Sequence, residues 1–441
     1  MPKITFLGAG STVFAKNVLG DCMLTDSLKG SDVALYDINA ERLEESYSLI
    51  EALRKNIGSD FTVKKYCGVE NRREALRDSD FIVNAILVGG YEPSALIDYK
   101  IPQKYGLKQT IADTLGIGGI FRTLRTIPVL RDFAEDIEAV CPKALFLNYT
   151  NPMATLTGYM QRYTNVNTVG LCHSVQVCSE SLFKTLGMEV EEGYTDKIAG
   201  INHMGWLLEV HDKYGNDLYP EIRRRSIDAV NDRESNNLVR IDYVNRFGYY
   251  CTESSVHNAE YNPFYIKNRY PELLERYNIK VDNYTERRDA QIKSWERQKK
   301  ELAALASGEV TYTRSNEYAS RIINAVVTNT PYQIGGNVIN KGLITNLPAD
   351  ACVEVPCLVN ASGVNPTIVG DLPLQLAAMN TTNILPQLLT IEAAVTRKKE
   401  AVYHAAMLDP HTAAELSIDD IWNMCDEMIE AHNSTDFKVL I

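Results

Sequence analysis

Polar side chains follow three short apolar runs of the sequence, at the points where three predicted strands end. The runs are ALFLNYTNP (Ala144–Pro152), TVGLCHS (Thr168–Ser174) and KIAGINHM (Lys197–Met204). The polar residues that they carry are Asn151, Cys172, His173 and His203. Because ligands of an open α/β sheet bind beyond the carboxyl ends of its strands, we expect these four side chains to line one crevice. A crevice lined by such side chains is typical of a catalytic site and not of a hydrophobic core.

Cys172 and His203 are the members of this group that are suited to hold a metal ion. A thiolate and a neutral imidazole are good ligands for a borderline divalent metal. Two protein ligands leave positions open for a substrate that chelates through two oxygens, as a vicinal diol does. A lone cysteine in a strand is usually a small core residue, but both of these residues stand where an apolar run breaks. Their joint placement predicts a metal site.

A glycine turn near the N-terminus predicts a dinucleotide site. The segment KITFLGAGSTV is an apolar strand that runs into Gly8, Gly10, Ser11 and Thr12. Glycines permit a tight turn, and the backbone N–H groups of the following helix can bind a pyrophosphate.

Two further residues belong to this predicted site. Asp37 closes the run VALYD and is placed to accept hydrogen bonds from an adenosine ribose, which disfavours NADP. Gly89 follows the run DFIVNAIL, where the ribose of nicotinamide would lie. The match is imperfect, because Val13 replaces the third glycine and Asp37 lies 27 residues beyond Gly10 rather than about 20.

The composition is that of a globular protein and argues against several function classes. Of the 441 residues, 45% are hydrophobic and 23% are charged, which suits a packed core. The net charge of −12, without a basic stripe, argues against nucleic acid or an anionic membrane as a partner. No apolar run approaches the roughly 18 residues that span a bilayer, and the N-terminus does not resemble a signal peptide. Nine cysteines without CxxC spacing indicate a reducing compartment, so we expect a cytoplasmic protein.

The order of elements predicts an α/β fold with two domains. Residues 1–150 alternate strand and helix, and residues 1–200 are expected to form a Rossmann-like doubly wound parallel sheet that binds NAD. Residues 201–441 are expected to form an α+β domain that caps the first and includes charged helices around residues 269–306.

Several segments resemble those of family 4 glycoside hydrolases, in matching order from Ile4 to about Ile429. They are GAGST, GGYEP, ADTLGIGGIFRTLRTIP, NYTNPMA, GLCHS, AGINHMGW, TESSVHNAEY, CVEVPCLV and YHAAMLDPHTAAEL. Within the family, the likeness is greatest to the bacterial α-galactosidases. The resemblance implies an NAD-dependent enzyme that departs from the two-carboxylate mechanism of most glycosidases. It also implies a homo-oligomer, a dimer or tetramer, formed through the C-terminal half.

The reaction that this resemblance implies joins oxidation to elimination. Hydride passes from C3 of the sugar to NAD⁺, and a Mn²⁺ ion on Cys172 and His203 polarises the new ketone. A side-chain base removes the acidified C2 proton, and a general acid assists departure of the glycosidic oxygen. Water then adds, and the hydride returns to C3. The net reaction is hydrolysis of a small oligosaccharide of the melibiose or raffinose type.

The resemblance assigns roles to further residues. Asn151 carries over as a contact of the substrate or of the metal shell. Many relatives have an aspartate as general acid directly after the ligand cysteine, where this sequence has His173. An imidazole at that place is either an acid near neutral pH or a group that positions the sugar.

Three residues are candidates for the base. Relatives that act on phospho-glucosides use a tyrosine in the loop that reads ESSVHNAEY here. His257 falls at that place, and Tyr261 or Glu253 falls there after a small shift of the alignment.

Other functions are consistent with the same residues. The same mechanism on a uronide or a glucoside is the nearest alternative. A net NAD-dependent 2-hydroxy-acid dehydrogenase has the same N-terminal half, and it would accumulate NADH where the hydrolase would not. A non-catalytic sensor would bind NAD and would lose nothing on substitution of Cys172.

Overall fold

Six parallel strands form the N-terminal half of a twelve-stranded sheet. The computed structural model describes residues 1–284 and 312–441 and, between them, residues 286, 289, 290, 293, 300, 303, 304 and 307. The six strands are β1 (Lys3–Leu7), β2 (Asp32–Asp37), β3 (Thr62–Cys67), β4 (Phe81–Asn84), β5 (Leu145–Asn148) and β6 (Asn167–Gly170). Their order, β3-β2-β1-β4-β5-β6, is typical of dinucleotide-binding domains. The predicted fold class is confirmed.

Antiparallel strands continue this sheet beyond β6. They are β7 (Thr195–Ile201), β8 (Met204–His211), β9 (Tyr250–Cys251), β10 (Tyr332–Ile339), β11 (Cys352–Asn360) and β12 (Gly363–Pro366). The order from β6 onward is β10-β11-β7-β8-β9, and β12 pairs with β11. The predicted division at residue 200 falls within β7, so the two predicted domains share one sheet.

The direction of β7 differs from the expectation drawn from the sequence. Since β10 is antiparallel to β6, β11 to β10 and β7 to β11, strand β7 runs opposite to β6. The expectation that all three apolar runs end at one edge of a parallel sheet is therefore wrong for the third run. His203 lies instead in the tight turn between β7 and β8. A hairpin strand and a parallel strand look alike in sequence, because both are apolar runs that stop at a polar residue.

Helices connect the strands and make up much of the described C-terminal part. The first eight are α1 (Thr12–Met23), α2 (Ala40–Ile57), α3 (Arg72–Leu76), α4 (Leu96–Lys104), α5 (Gly116–Val140), α6 (Met153–Tyr163), α7 (His173–Gln176) and α8 (Cys178–Thr185). The others are α9 (Tyr219–Ala229), α10 (Leu238–Phe247), α11 (Ser255–Tyr261), α12 (Glu272–Arg276), α13 (Ala319–Thr328), α14 (Leu374–Thr396), α15 (Lys399–Leu408), α16 (Pro410–Glu415) and α17 (Ile418–Asn433). Much of the charged stretch predicted around residues 269–306 lies outside the described residues. Among the described residues, no helix combines the length and the apolar character that crossing a membrane requires.

Helix α14 holds the β7–β8 hairpin through a buried tryptophan. Trp206 in β8 is fully buried, and its indole N–H donates a hydrogen bond to Asn380 Oδ1 at 3.2 Å. The amide of Asn380 donates in turn to the carbonyl oxygen of Met204 at 2.9 Å. A buried indole N–H needs such a partner. These bonds fix the strand that follows the His203 turn.

The start of α5 packs closely on the loop before it. A Cβ atom on Gly118 would stand 2.2 Å from the carbonyl oxygen of Ala112, and one on Gly119 would stand 2.4 Å from that of Thr114. Both contacts are with backbone, which has little freedom to move. The two glycines therefore allow the loop that carries Asp113 to lie against α5.

The substitution Gly118→Ala is expected to destabilise the protein by about 1–3 kcal/mol, because the added methyl group meets a backbone carbonyl. Gly158→Ala in α6 is the matched control. Its Cβ would meet no atom closer than 3.4 Å, and alanine favours a helix over glycine by about 1 kcal/mol. Chemical denaturation measures both variants, and equal stabilities would contradict the close packing of α5.

Candidate active site

Three side chains suited to ligate a metal converge beside the β7–β8 hairpin. They are the thiol of Cys172, the imidazole of His203 and the carboxylate of Glu253, and their ligand atoms lie within 4.8 Å of one another. The Nε2 atom of His203 is 3.4 Å from Glu253 Oε2. Sulfur, nitrogen and oxygen donors at this spacing fit one divalent cation. The structure brings together the two ligands predicted from the sequence and adds a carboxylate.

Each of these three residues stands just outside a strand. Cys172 follows β6, His203 lies in the β7–β8 turn, and Glu253 follows β9, which pairs with β8. His203 and Glu253 both adopt left-handed backbone conformations, with φ of 64° and 63°. Such conformations cost free energy in non-glycine residues and concentrate at functional sites.

A tyrosine contacts the ring nitrogen of His203 that faces away from Glu253. The Nδ1 atom of His203 lies 3.1 Å from the hydroxyl of Tyr261, which leaves Nε2 directed at Glu253. Burial lowers the pKa of His203, so the ring is a neutral ligand at physiological pH. Burial also raises the pKa of Tyr261 well above its ordinary value. A contact on the second nitrogen is what orients metal-binding histidines in general.

Cys172 lies in a buried pocket that disfavours the free thiolate. Burial, together with the carboxyl groups of Glu354 and Glu253, raises the pKa of its thiol to about 12. The Sγ atom lies 3.0 Å from Ser174 Oγ, and Tyr318 donates to the Cys172 carbonyl oxygen at 3.0 Å. The thiol is therefore protonated near neutral pH, and ligation of a cation requires that it lose this proton.

His257 lies next to the three donors and has acidic neighbours on both ring nitrogens. Its Nδ1 atom is 3.3 Å from Glu253 Oε1 and 2.8 Å from Ser254 Oγ, and its Nε2 atom is 3.8 Å from Asp113 Oδ1. Burial acts to lower the pKa of His257, but Asp113 and Glu253 outweigh burial and raise it. The ring centroids of His257 and His203 are 5.2 Å apart. The titratable imidazole of His257 thus lies next to that of His203, a candidate metal ligand.

Glu260 fixes Asp113 relative to His257. Its carboxylate accepts hydrogen bonds from the backbone N–H groups of Thr110, Ile111 and Ala112 at 2.7, 3.1 and 2.9 Å. Glu260 and His257 lie on the same helix, α11, and the three N–H groups directly precede Asp113. Glu260 therefore holds the loop that carries Asp113 against the helix that carries His257.

His173 lies on the other side of Cys172 and pairs with an acid. Its Nε2 atom is 2.6 Å from Glu317 Oε2, and half of its side chain is exposed while Glu317 is buried. The ring packs against Phe14 of α1, with centroids 5.9 Å apart, and against Tyr149 at 5.8 Å. His173 therefore lies between the candidate metal ligands and the first helix of the predicted dinucleotide site.

The glycine turn of β1 has the geometry that a pyrophosphate site requires. Gly8 has a φ of 80°, and a Cβ there would stand 2.7 Å from the carbonyl oxygen of Ala85. Helix α1 begins at Thr12, directly after Ser11, so its N-terminal N–H groups follow the turn. Gly10 donates its N–H to Asp37 Oδ2 at 2.7 Å, which places this acid at the turn.

Gly89 and Asn151 lie near the carboxyl ends of β4 and β5. Gly89 has a φ of 82°, and a Cβ there would meet Ser94 Oγ at 2.0 Å, so only glycine fits. Asn151 is half-buried and stands three residues beyond Asn148, which pairs with Gly170 of β6. His173 stands three residues beyond Gly170. Asn151 and His173 therefore leave neighbouring parallel strands at the same level.

Glu354 is a buried acid in the middle of β11 that the sequence analysis passes over. It is fully buried, and burial raises its pKa to about 8. An acid between valines in the apolar run CVEVPC is a signal that could have identified it. Asp113 and Glu317 were likewise not predicted as partners of histidines, because residues far apart in sequence give no local sign of such contacts.

Comparison with known proteins assigns the chain to a family. The family 4 glycosyl hydrolase model matches residues 3–188, and the model of the C-terminal domain of that family matches residues 198–412. An α-galactosidase of Bacillus subtilis (strain 168) is 57% identical over 432 residues, which cover 98% of this chain and 98% of that protein. An α-galactosidase of Rhizobium meliloti (strain 1021) is 34% identical and covers 97% of this chain and 88% of its own length.

A solved structure supports the fold. The 6-phospho-α-glucosidase from gut microorganisms, determined in complex with NAD and Mn²⁺, superposes with a TM-score of 0.80 at 21% identity. The match covers 98% of this chain and 98% of that one.

The raised pKa of Glu354 predicts a pH dependence of stability. The ordinary pKa of a glutamate is 4.5, and the folded protein raises it to about 8. Between these values the unfolded chain loses a proton that the folded chain keeps. The free energy of unfolding should therefore fall as pH rises through this window, by up to about 1.4 kcal/mol per pH unit, and level off above it. Urea denaturation of the metal-free protein at several pH values measures this slope. Glu354→Gln should remove that part of the slope, and an unchanged slope in the variant would contradict the assignment.

Proposed function

The chain belongs to family 4 of the glycosyl hydrolases, and we propose that it is an α-galactosidase that uses NAD and Mn²⁺. The observation that carries the proposal is the convergence of Cys172, His203 and Glu253 within 4.8 Å, in a chain 57% identical to an α-galactosidase over nearly its whole length. The substrate is a small oligosaccharide with a terminal α-galactose, of the melibiose or raffinose type.

The residues present fit both cofactors. Gly8, Gly10 and the N-terminus of α1 suit the pyrophosphate of NAD, and the Asp37 carboxylate suits its ribose hydroxyls. Cys172 and His203 would hold the metal ion, and the oxygen of Glu253 suits Mn²⁺, which prefers oxygen ligands. When bound, the two cofactors supply hydride transfer at C3 of the sugar and polarisation of the resulting ketone.

His257 is the proposed base for the C2 proton. Its ring lies next to that of His203. A sugar bound at the three candidate metal ligands would therefore be within reach of His257. Asp113 and Glu253 orient its ring and raise its pKa, which favours acceptance of a proton near neutral pH. Tyr261 is fully buried with its hydroxyl on His203, and this supports a positioning role rather than that of the base.

His173 is the proposed general acid for the glycosidic oxygen. Its pairing with Glu317 supports this role, because a carboxylate on one ring nitrogen orients the imidazole. Half of its side chain is exposed to solvent, so a bound sugar can reach the ring. Asn151, at the same level of the neighbouring strand, is the proposed substrate contact.

Cellular location and assembly remain proposals of the sequence analysis. All nine cysteines are free thiols, and eight of them are buried, which supports a cytoplasmic protein. The homo-oligomer and the division into domains at residue 200 stay predictions.

Hydrolysis of nitrophenyl α-galactoside is expected to require NAD⁺, Mn²⁺ and a thiol reductant, because the metal site includes a cysteine. Nitrophenol release across a panel of α-galactoside, α-glucoside and α-galacturonide measures the specificity, with NADH absorbance followed in parallel. Release from the galactoside with flat NADH absorbance at steady state is the expected result. No release from the galactoside would contradict the specificity, and stoichiometric NADH would indicate a dehydrogenase.

The variant Cys172→Ser is expected to lower kcat/KM by about 100-fold or more, since even contacts that support metal ligands contribute about 10–100-fold. Cys425→Ser, at another buried cysteine in α17, is the matched control and should retain activity. Equal activity of the two variants, both folded by circular dichroism, would exclude Cys172 from the site.

Reaction in D₂O should place deuterium at C2 of the product galactose, because the base exchanges its proton with solvent before water adds. The His257→Asn variant should slow this exchange and turnover together by about 100–10,000-fold, the usual contribution of a general base. Mass spectrometry and NMR of the product measure the label. An unlabelled product from the wild-type enzyme would contradict C2 deprotonation, and a fully active variant would exclude His257 as the base.

A further inference from the structure

One row of paired residues joins the parallel and antiparallel parts of the sheet. The row consists of Gly170 in β6, Asn337 in β10, Glu354 in β11 and Gly200 in β7. The β6–β10 and β11–β7 ladders each show a single register pair, and both pairs belong to this row. In the chain, Cys172 follows Gly170 by two residues, and His203 follows Gly200 by three residues.

Side-chain hydrogen bonds of Glu354 and Asn337 also connect the strands along this row. The Oε1 atom of Glu354 accepts a hydrogen bond from Asn337 Nδ2 at 3.0 Å, and the same amide nitrogen lies 3.3 Å from the carbonyl oxygen of Gly170. The side chain of Asn337 therefore bridges β6 to the carboxyl group. Both residues are fully buried, so these bonds do not compete with water.

The second carboxyl oxygen of Glu354 faces the hairpin that carries His203. A Cβ atom on Gly205 would stand 3.2 Å from Oε2, and Gly205 pairs with Gly200 one pair away from the turn of the hairpin. Asn202, the residue before His203, is buried, and its side-chain amide lies near enough to the Glu354 carboxyl group to lower that group's pKa against the effect of burial. A glycine pair thus leaves the space into which the carboxyl packs.

An acid at this position needs a reason beyond packing. Burying a carboxyl group costs free energy that an apolar side chain of similar size would avoid. Buried polar groups are retained in some proteins because they specify one register. At Glu354 the register in question is the one that sets the separation of the two candidate metal ligands.

We propose that Glu354 is a positioning residue that sets the distance between the Cys172 thiol and the His203 imidazole by tying β6, through Asn337, to the turn end of the β7–β8 hairpin. This inference rests on the proposed metal site. Glu354 itself does not contact substrate or cofactor in this account and acts through the two ligands.

Cobalt(II) titration of the metal-free protein tests the proposal, because a cysteine thiolate bound to cobalt gives a charge-transfer absorption in the near ultraviolet. Glu354→Ala should weaken cobalt binding by about tenfold or more and change this absorption, as loss of outer contacts does at metal sites. Glu354→Gln keeps an oxygen acceptor for Asn337 and should stay within about threefold of the wild type. Val355→Ala, at the next buried residue of β11, is the control for weakening of the strand, since its side chain points to the opposite face.

The results separate this inference from the metal site itself. A wild-type protein without the thiolate absorption would overturn the metal site and, with it, this proposal. A normal wild-type spectrum with unchanged affinity in Glu354→Ala would overturn the positioning role alone. Equal loss in Val355→Ala would show that Glu354 acts only through strand stability, and this also overturns the proposal. If Glu354→Ala does not fold, Asn337→Ala breaks the same bridge and should show the same loss of affinity.

Discussion

The candidate site depends on one constraint, the register of the row that joins the two parts of the sheet. The thiol of Cys172 comes from the parallel part and the imidazole of His203 from the antiparallel hairpin, so neither part holds the site alone. Register is strict in a sheet, because a slip of one residue turns every side chain to the other face. The buried pairing of Asn337 and Glu354 on this row is therefore the feature on which the distance between the two ligands rests.

Carboxylates that bind buried or half-buried partners hold the rest of the site in place. Glu260 clamps the loop of Asp113, and Glu317 holds His173. The segment that carries Glu317 is itself tied to α1 by Asp21, which accepts the N–H of Ser315 at 2.8 Å. Loops that are already fixed by such hydrogen bonds lose little conformational entropy when a substrate binds. His203 and Glu253, the two candidate metal ligands with left-handed backbone conformations, also belong to a site that is held against local strain.

Sequence patterns predict five of the six described parallel strands, because each of the five is a short apolar run closed by a polar residue or a glycine. Cys172 and His203 are found for the same reason. The sixth strand, β3, has two lysines in the run TVKKYC and lies at the edge of the sheet. The direction of β7 is not predictable in this way, since apolar periodicity carries no sign of whether a strand is parallel or antiparallel. The pairing of His257 with Asp113 and of His173 with Glu317 is likewise invisible, because these partners are 144 residues apart in sequence in each case.

In the proposed site, the two halves of one sheet supply a sulfur and a nitrogen ligand to a single metal ion beside a bound dinucleotide. X-ray absorption spectroscopy of the protein loaded with Mn²⁺ and NAD⁺ tests this most directly. One sulfur scatterer and one imidazole are expected in the first coordination shell, with the sulfur absent in Cys172→Ser. A first shell of oxygen and nitrogen alone in the wild-type protein would contradict it.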